Sequence, residues 1–257
     1  MADFDRQYAR TATTVRTDAI DEGLRSYMLR VYNYMAIGLA ITGLASVGGY
    51  LMSVTADPSA AVARLPNGAF LTQFGHYLFI SPLKWVVILA PLALVFLLSA
   101  RIHKMSVSGA QTAFWSFAAL MGLSLSSIFL VYTHTSIGHV FFVTAASFGA
   151  LSLYGYTTKK DLSGWGSFLF MGLIGIIIAS VVNLFLASSA LQFAVSVIGV
   201  LVFAGLTAYD TQQIKEMYYA QDDGTVAGRK AVMGALRLYL DFINLFIMLL
   251  QLFGNRE

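Results

Sequence analysis

Two aspartates stand where acids are expensive. Asp241 lies in Leu238-Tyr239-Leu240-Asp241-Phe242-Ile243-Asn244-Leu245-Phe246, inside a stretch otherwise apolar enough to cross a membrane. Asp210 lies in Gly205-Leu206-Thr207-Ala208-Tyr209-Asp210-Thr211-Gln212-Gln213, near the end of the stretch before it. A charged side chain at mid-bilayer costs about 2.5–3.5 kcal/mol on insertion scales, so such a group faces protein or water and usually marks function. Two carboxylates held together in a low dielectric cannot both ionise cheaply, and one of them keeps a proton. Such a pair is a proton-operated switch. Protonated, it shares a hydrogen bond and holds two helices together; deprotonated, it repels itself or binds a cation. Calcium is a hard cation that prefers carboxylate oxygens. Two carboxylates are fewer ligands than a tight calcium site uses, so binding at Asp210 and Asp241 is expected to be weak and suited to permeation. No cofactor is expected.

The neighbouring residues admit a plainer reading. Arg237 is four residues before Asp241, on the same helical face, and would neutralise it as an intrahelical pair. Asp210 would then be hydrated and inert at the interface. Tyr239 and Asn244 read as packing or hydrogen-bonding residues. Arg101 ends an apolar span, where an arginine is most often an anchor, but it could also reach a carboxylate as a latch. His76, His103, His134 and His139 fall in loops or at span ends, without the spacing of a metal-ligand set.

Composition fixes the elements that must carry these groups. The chain has 257 residues, 58% hydrophobic and 11% charged, with a mean hydropathy of +0.72. A typical soluble domain carries about 25% charged residues. Residues 1–30 hold ten of the 29 charges, so the rest of the chain is more apolar still. This excludes a soluble globular domain and a disordered chain alike. The net charge of +3 comes without a Lys/Arg cluster, so nucleic-acid binding is not expected. There is no cysteine, and therefore no disulfide framework or thiolate metal site. The first residues do not resemble a cleaved signal peptide.

A hydrocarbon core about 30 Å thick needs about 20 apolar residues as a helix. Seven segments qualify: 31–54, 83–100, 107–131, 137–157, 165–186, 190–214 and 232–253. They are continuously apolar rather than alternating, which favours helices over a barrel. The expected protein is all-α and polytopic, with a polar tail over 1–30 and one seven-helix membrane domain over 31–257. Pro91 is expected to kink span two, and Gly172 and Gly175 to allow close packing around span five. The 55–82 segment reads as a connector rather than a lid.

Lysine and arginine counts set the orientation. Twelve fall in the tail and the 2–3, 4–5 and 6–7 loops, against three (Arg64, Lys84 and Arg256) on the other side. The N-terminus is thus expected in the cytoplasm and the C-terminus on the far side, unless the last segment is re-entrant. Counting from residue 232, Asp241 lies about 13 Å from the cytoplasmic end of span seven. It can meet Asp210 if helix boundaries shift by about a turn.

The motif around Asp241, with Tyr209-Asp210-Thr211-Gln212 on the preceding helix, resembles the Bax inhibitor-1 family, also called the transmembrane Bax inhibitor motif family. The Lys159-Lys160-Asp161-Leu162 loop and the seven-helix plan fit its bacterial branch. The resemblance covers the chain from about residue 24. It implies a bundle with helix seven at its centre, in the cell (inner) membrane, acting as a pH-sensitive calcium leak. In that picture Asp210 and Asp241 are the proton sensor and gate, and Arg101, in Arg101-Ile102-His103-Lys104, is the latch. Some bacterial members look like non-conducting regulators of a membrane-anchored ATP-dependent protease, which would need a surface such as the tail.

Enzymatic readings fare poorly. Intramembrane aspartyl proteases are similar in having paired acids on adjacent helices, but their Gly-x-Gly-Asp is absent before Asp241, and no proline follows Pro91. Span seven has no lysine for a retinal Schiff base. Ser124, Ser126 and Ser127 have no histidine within their span. The protein is expected not to be an enzyme.

Overall fold

The computed structural model describes residues 2–66 and 68–256, with side chains from Glu22 onward. Seven long helices follow one another: α1 (Ala2–Ser53), α2 (Leu83–Arg101), α3 (Val107–Leu125), α4 (His134–Thr157), α5 (Ser163–Leu186), α6 (Ser189–Glu216) and α7 (Gly224–Phe253). Each contains a stretch long and apolar enough to cross a membrane, that of α1 being Glu22–Ser53. The protein is an all-α, multi-pass membrane protein. Side-chain caps mark several starts: Ser106, Thr133, Ser188 and Asp223 each accept a hydrogen bond from a backbone N–H of the following first turn. Helix α2 runs on through the buried Pro91.

Helix α7 sits at the centre, packed against α1, α3, α4 and α6. Helix α2 packs chiefly on α3, and α5 on α6, so these two form the outer wall. Close approaches are made where a glycine leaves room. A Cβ on Gly122 of α3 would lie 2.4 Å from the Thr42 carbonyl oxygen of α1, and one on Gly155 of α4 would lie 2.2 Å from that of Ala208 on α6. A Cβ on Gly164 or Gly175 would meet nothing within 4 Å, so the tight packing expected around span five rests on Gly166, which abuts Tyr209, and Gly172, which abuts Val202.

Two sequence boundaries move. The expected tail over 1–30 gives way at Glu22, because Tyr27 and Met28 are already buried in the bundle. The side chains of residues 1–21, where the tail's proposed partner surface falls, lie outside the described residues. The 55–82 segment is more than a connector. Val54–Thr55, Ala63–Arg64 and Phe70–Leu71 form a three-stranded antiparallel sheet with Phe70–Leu71 in the middle. It is tied to the end of α1 by Thr72, whose N–H donates to the Ser53 carbonyl (3.0 Å) and whose hydroxyl donates to that of Met52 (2.7 Å).

Helix α7 crosses the whole bundle and is not re-entrant. Beyond its end, the Asn255 carbonyl accepts from Thr133 N–H (3.0 Å), Asn255 N–H donates to Ser136 Oγ (3.0 Å), and the Arg256 guanidinium lies 5.8 Å from the centre of the Tyr132 ring. The chain thus finishes against the α3–α4 turn, opposite the lysine- and arginine-rich turns. At the other end Arg229 donates to the carbonyls of Met105 (2.7 Å) and His103 (2.7 Å), clamping the α2–α3 turn.

Candidate functional site

Helices α6 and α7 run antiparallel in one continuous register. Gly234 faces Ile214, Met248 packs on Gly199, and Ser196 Oγ lies 2.8 Å from Gln251 Oε1. That register sets Asp241 about one turn beyond the level of Asp210, within side-chain reach. It also explains a mismatch in depth. Counted along α7, Asp241 is about 26 Å from Gly224, whereas Asp210 is only about 9 Å from the end of α6. The first two turns of α7 overhang α6, and there Gly228 packs on Val107 and Arg229 grips the α2–α3 turn. Measured from the end of α6, Asp210 lies about two turns deep and Asp241 about three.

The two carboxyl groups are within hydrogen-bonding reach of one another. Asp241 is 5% exposed, and its Oδ2 is buried with no hydrogen-bond donor directed at it. Asp210 is half-buried. Two acceptors facing each other without a donor are an unfavourable arrangement in an apolar setting. A proton shared between them satisfies both, as would a cation or a bridging water. Among the described residues no group of three or more His, Asp or Glu side chains comes together, so Asp210 and Asp241 would offer a cation two carboxylates and little else.

Arg237 is the basic side chain that acts electrostatically on both acids. It forms no ion pair with either among the described residues and is exposed, although it sits on the most buried helix. Asn244 turns back on its own helix, donating to the Leu240 carbonyl at 2.8 Å. Arg101 stands exposed at the end of α2 without an ion pair among the described residues.

Sequence reasoning treated Tyr239 only as a packing or hydrogen-bonding residue, and the structure gives it a specific partner. It is fully buried, with Phe114 and Phe117 of α3 edge-on to its ring, and its hydroxyl lies 2.6 Å from Thr42 Oγ1. Thr42 Oγ1 also lies 3.0 Å from the Gly38 carbonyl and 2.9 Å from that of Ala118. Its single proton goes to a carbonyl, so Tyr239 is the donor to Thr42. Two residues before Asp241, α7 is thereby fastened to α1 and α3.

A second fastening went unread. Thr211 donates to the Thr207 carbonyl (2.7 Å), Ser152 Oγ lies 2.9 Å from Thr211, and the Tyr32 hydroxyl lies 2.7 Å from Ser152. The direction follows from the terminal carbonyl: Tyr32 donates to Ser152, and Ser152 to Thr211. This row ties α6, beside Asp210, to α4 and α1. Gln212 adds a hold on the α4–α5 turn, donating to the Lys160 carbonyl and accepting from Leu162 N–H, both at 2.8 Å.

Residues 24–257 match the family model described as inhibitor of apoptosis-promoting Bax1. The inner membrane protein YbhL of Escherichia coli K12 is 51% identical over 249 residues, covering 94% of this chain and 98% of the relative. An uncharacterized protein, RP147, of Rickettsia prowazekii is 45% identical over 251 residues, covering 97% and 98%. An uncharacterized protein of Caulobacter vibrioides is 45% identical over 260 residues, covering the full length of both chains.

Proposed function

This chain belongs to the Bax inhibitor-1 family, and from that premise we propose that it is a passive cation leak, with calcium as the permeant ion, gated by protonation of the Asp210–Asp241 pair. The observation that carries the reading is the pair itself: two acids on neighbouring helices, facing each other, with no donor directed at Asp241 Oδ2. A shared proton holds α6 to α7. Its loss sets two negative charges side by side, which part the helices or recruit a cation. The sign follows. Flux is low where the pair is protonated and rises with pH as the proton leaves.

Helix α7 offers a route. Lys230, Arg237, Asn244 and Gln251 recur every seven residues along one face, and each is half-buried or exposed, as are Met233, Leu240 and Ile247 between them. Such spacing keeps four polar groups in line over six turns. The guanidinium of Arg237 on this path opposes cation entry until the acids ionise. The reading is non-enzymatic. The YbhL name and the basic turns support an inner-membrane location with the basic side in the cytoplasm.

The test is calcium flux into dye-loaded proteoliposomes between pH 6 and 8. Wild-type flux should increase with pH. Asp241→Asn keeps a neutral hydrogen-bonding side chain at all pH values, and should give a low, flat profile. Asp210→Asn should do the same. Wild-type pH dependence surviving in both variants, each monodisperse after purification, would falsify the mechanism.

A further inference from the structure

A crevice of about 520 Å³ opens between α1 and α4. Its walls include Met28, Leu29, Phe148 and Leu153, and they are overwhelmingly apolar. Gly149 widens it, since a Cβ there would meet nothing within 4 Å. The floor is polar but already satisfied, because Tyr32 and Ser152 are bonded to each other. On α4 the lining runs from Phe148 to Tyr156, next to the helix end at Thr157 on the basic side. That length is about 13 Å, close to half of a hydrocarbon core of about 30 Å. The crevice therefore spans one leaflet.

Its mouth is basic. Arg25 lines it and is exposed. Arg25 also lines an adjoining surface recess with Ser26, Arg30 and Asn33. Glu22 is the acidic side chain of that recess, facing two arginines. Behind the lining residue Tyr156, Lys215 of α6 donates to the Tyr156 carbonyl (2.9 Å) and lies 5.5 Å from the centre of its ring. An apolar slot one leaflet deep, ending in cationic groups at the membrane surface, matches one occupant in both shape and charge. Basic pockets between spanning helices on the cytoplasmic side favour anionic headgroups.

We propose that the α1–α4 crevice is a binding site for one anionic phospholipid of the basic-side leaflet, with an acyl chain along Leu29, Phe148 and Leu153 and its phosphate at Arg25 and Arg30. The occupant is a membrane lipid and not free phosphate, because the slot below the arginines is apolar. The proposal is independent of the ion-leak reading.

Native mass spectrometry of the full chain, released from detergent in the presence of dioleoylphosphatidylglycerol or dioleoylphosphatidylcholine, tests it. One phosphatidylglycerol should be retained in preference to phosphatidylcholine, and inorganic phosphate should not displace it. Arg25→Gln, at an exposed position, should weaken phosphatidylglycerol about fivefold and leave phosphatidylcholine unchanged. Gly149→Leu fills the slot from a position with free space and should lose both lipids. Equal retention of the two lipids by the wild type, displacement by phosphate, or full phosphatidylglycerol retention by either variant overturns the proposal.

Discussion

Helix α5 is the most apolar of the seven spans, and only 11% of its most apolar stretch is buried; α7 carries Arg237, Asp241 and Asn244, and 67% of the corresponding stretch is buried. The outer helix shows Phe168, Phe170, Ile177, Leu184 and Phe185 to its surroundings. The inner one hides Tyr239 and Asp241. Lipid accepts apolar side chains as readily as a protein core does, so apolarity gives no reason to turn inward. Polar groups do have a reason, because only protein or water can satisfy them. Within this bundle, polarity rather than hydrophobicity marks the centre, and the chemistry follows it there.

This contrast breaks most visibly at glycines. Gly155→Leu pushes a side chain into the Ala208 carbonyl at the α4–α6 crossing and should destabilise the bundle by about 3 kcal/mol. Gly175→Leu on α5 meets open space and should change stability by less than about 0.5 kcal/mol. Loss of monodispersity on heating in detergent measures both, and equal midpoints would erase the distinction between wall and centre. A smaller effect separates tertiary from local polar bonds. Tyr239→Phe removes the bond to Thr42 and should cost about 1 kcal/mol. Asn244→Leu removes a bond to the helix's own Leu240 carbonyl and should cost less. If Asn244→Leu proves the more damaging, its partner lies outside α7.

The smallest effect belongs to the exposed turns. The Ser59 hydroxyl and backbone N–H hold the Asp57 carboxyl below the usual carboxylate range, and the Ser163 backbone N–H and hydroxyl do the same for Asp161. Such groups favour the folded turn above the ordinary aspartate pKa of about 3.9 and lose that contribution as pH falls through their lower folded values. Carboxyl NMR titration should find both midpoints below 3.9, with no response of the 6–8 range over which flux is expected to change. A midpoint at or above 3.9 for either would mean that its serine bonds are not kept in solution.

Much of this arrangement was legible in the sequence. Continuous apolar runs gave all seven spans, because a helix crossing lipid has no alternative way to satisfy its backbone. Asp210 and Asp241 stood out for the same reason. What escaped notice were residues whose signal is local. Thr42, Ser152 and Thr211 look like ordinary helix hydroxyls, since each could as well bond within its own helix, and nothing in their spacing shows that Ser152 meets Thr211 across fifty-nine positions. The depth of Asp241 depended on the overhang of α7, and that is set by Gly228 and Arg229 docking on the α2–α3 turn, a contact between distant segments. The small sheet after α1 escaped because its strands are two residues long, too short for any alternation to register.

The grip of Arg229 at one end of α7 and of Asn255 at the other has a mechanical meaning. A rod held in bearings at both tips cannot slide or swing aside, and the Tyr239–Thr42 bond between them also checks its turning. Any widening between Asp210 and Asp241 would then come from α6 being levered off it. The row from Tyr32 through Ser152 to Thr211 would act as the spring that draws α6 back.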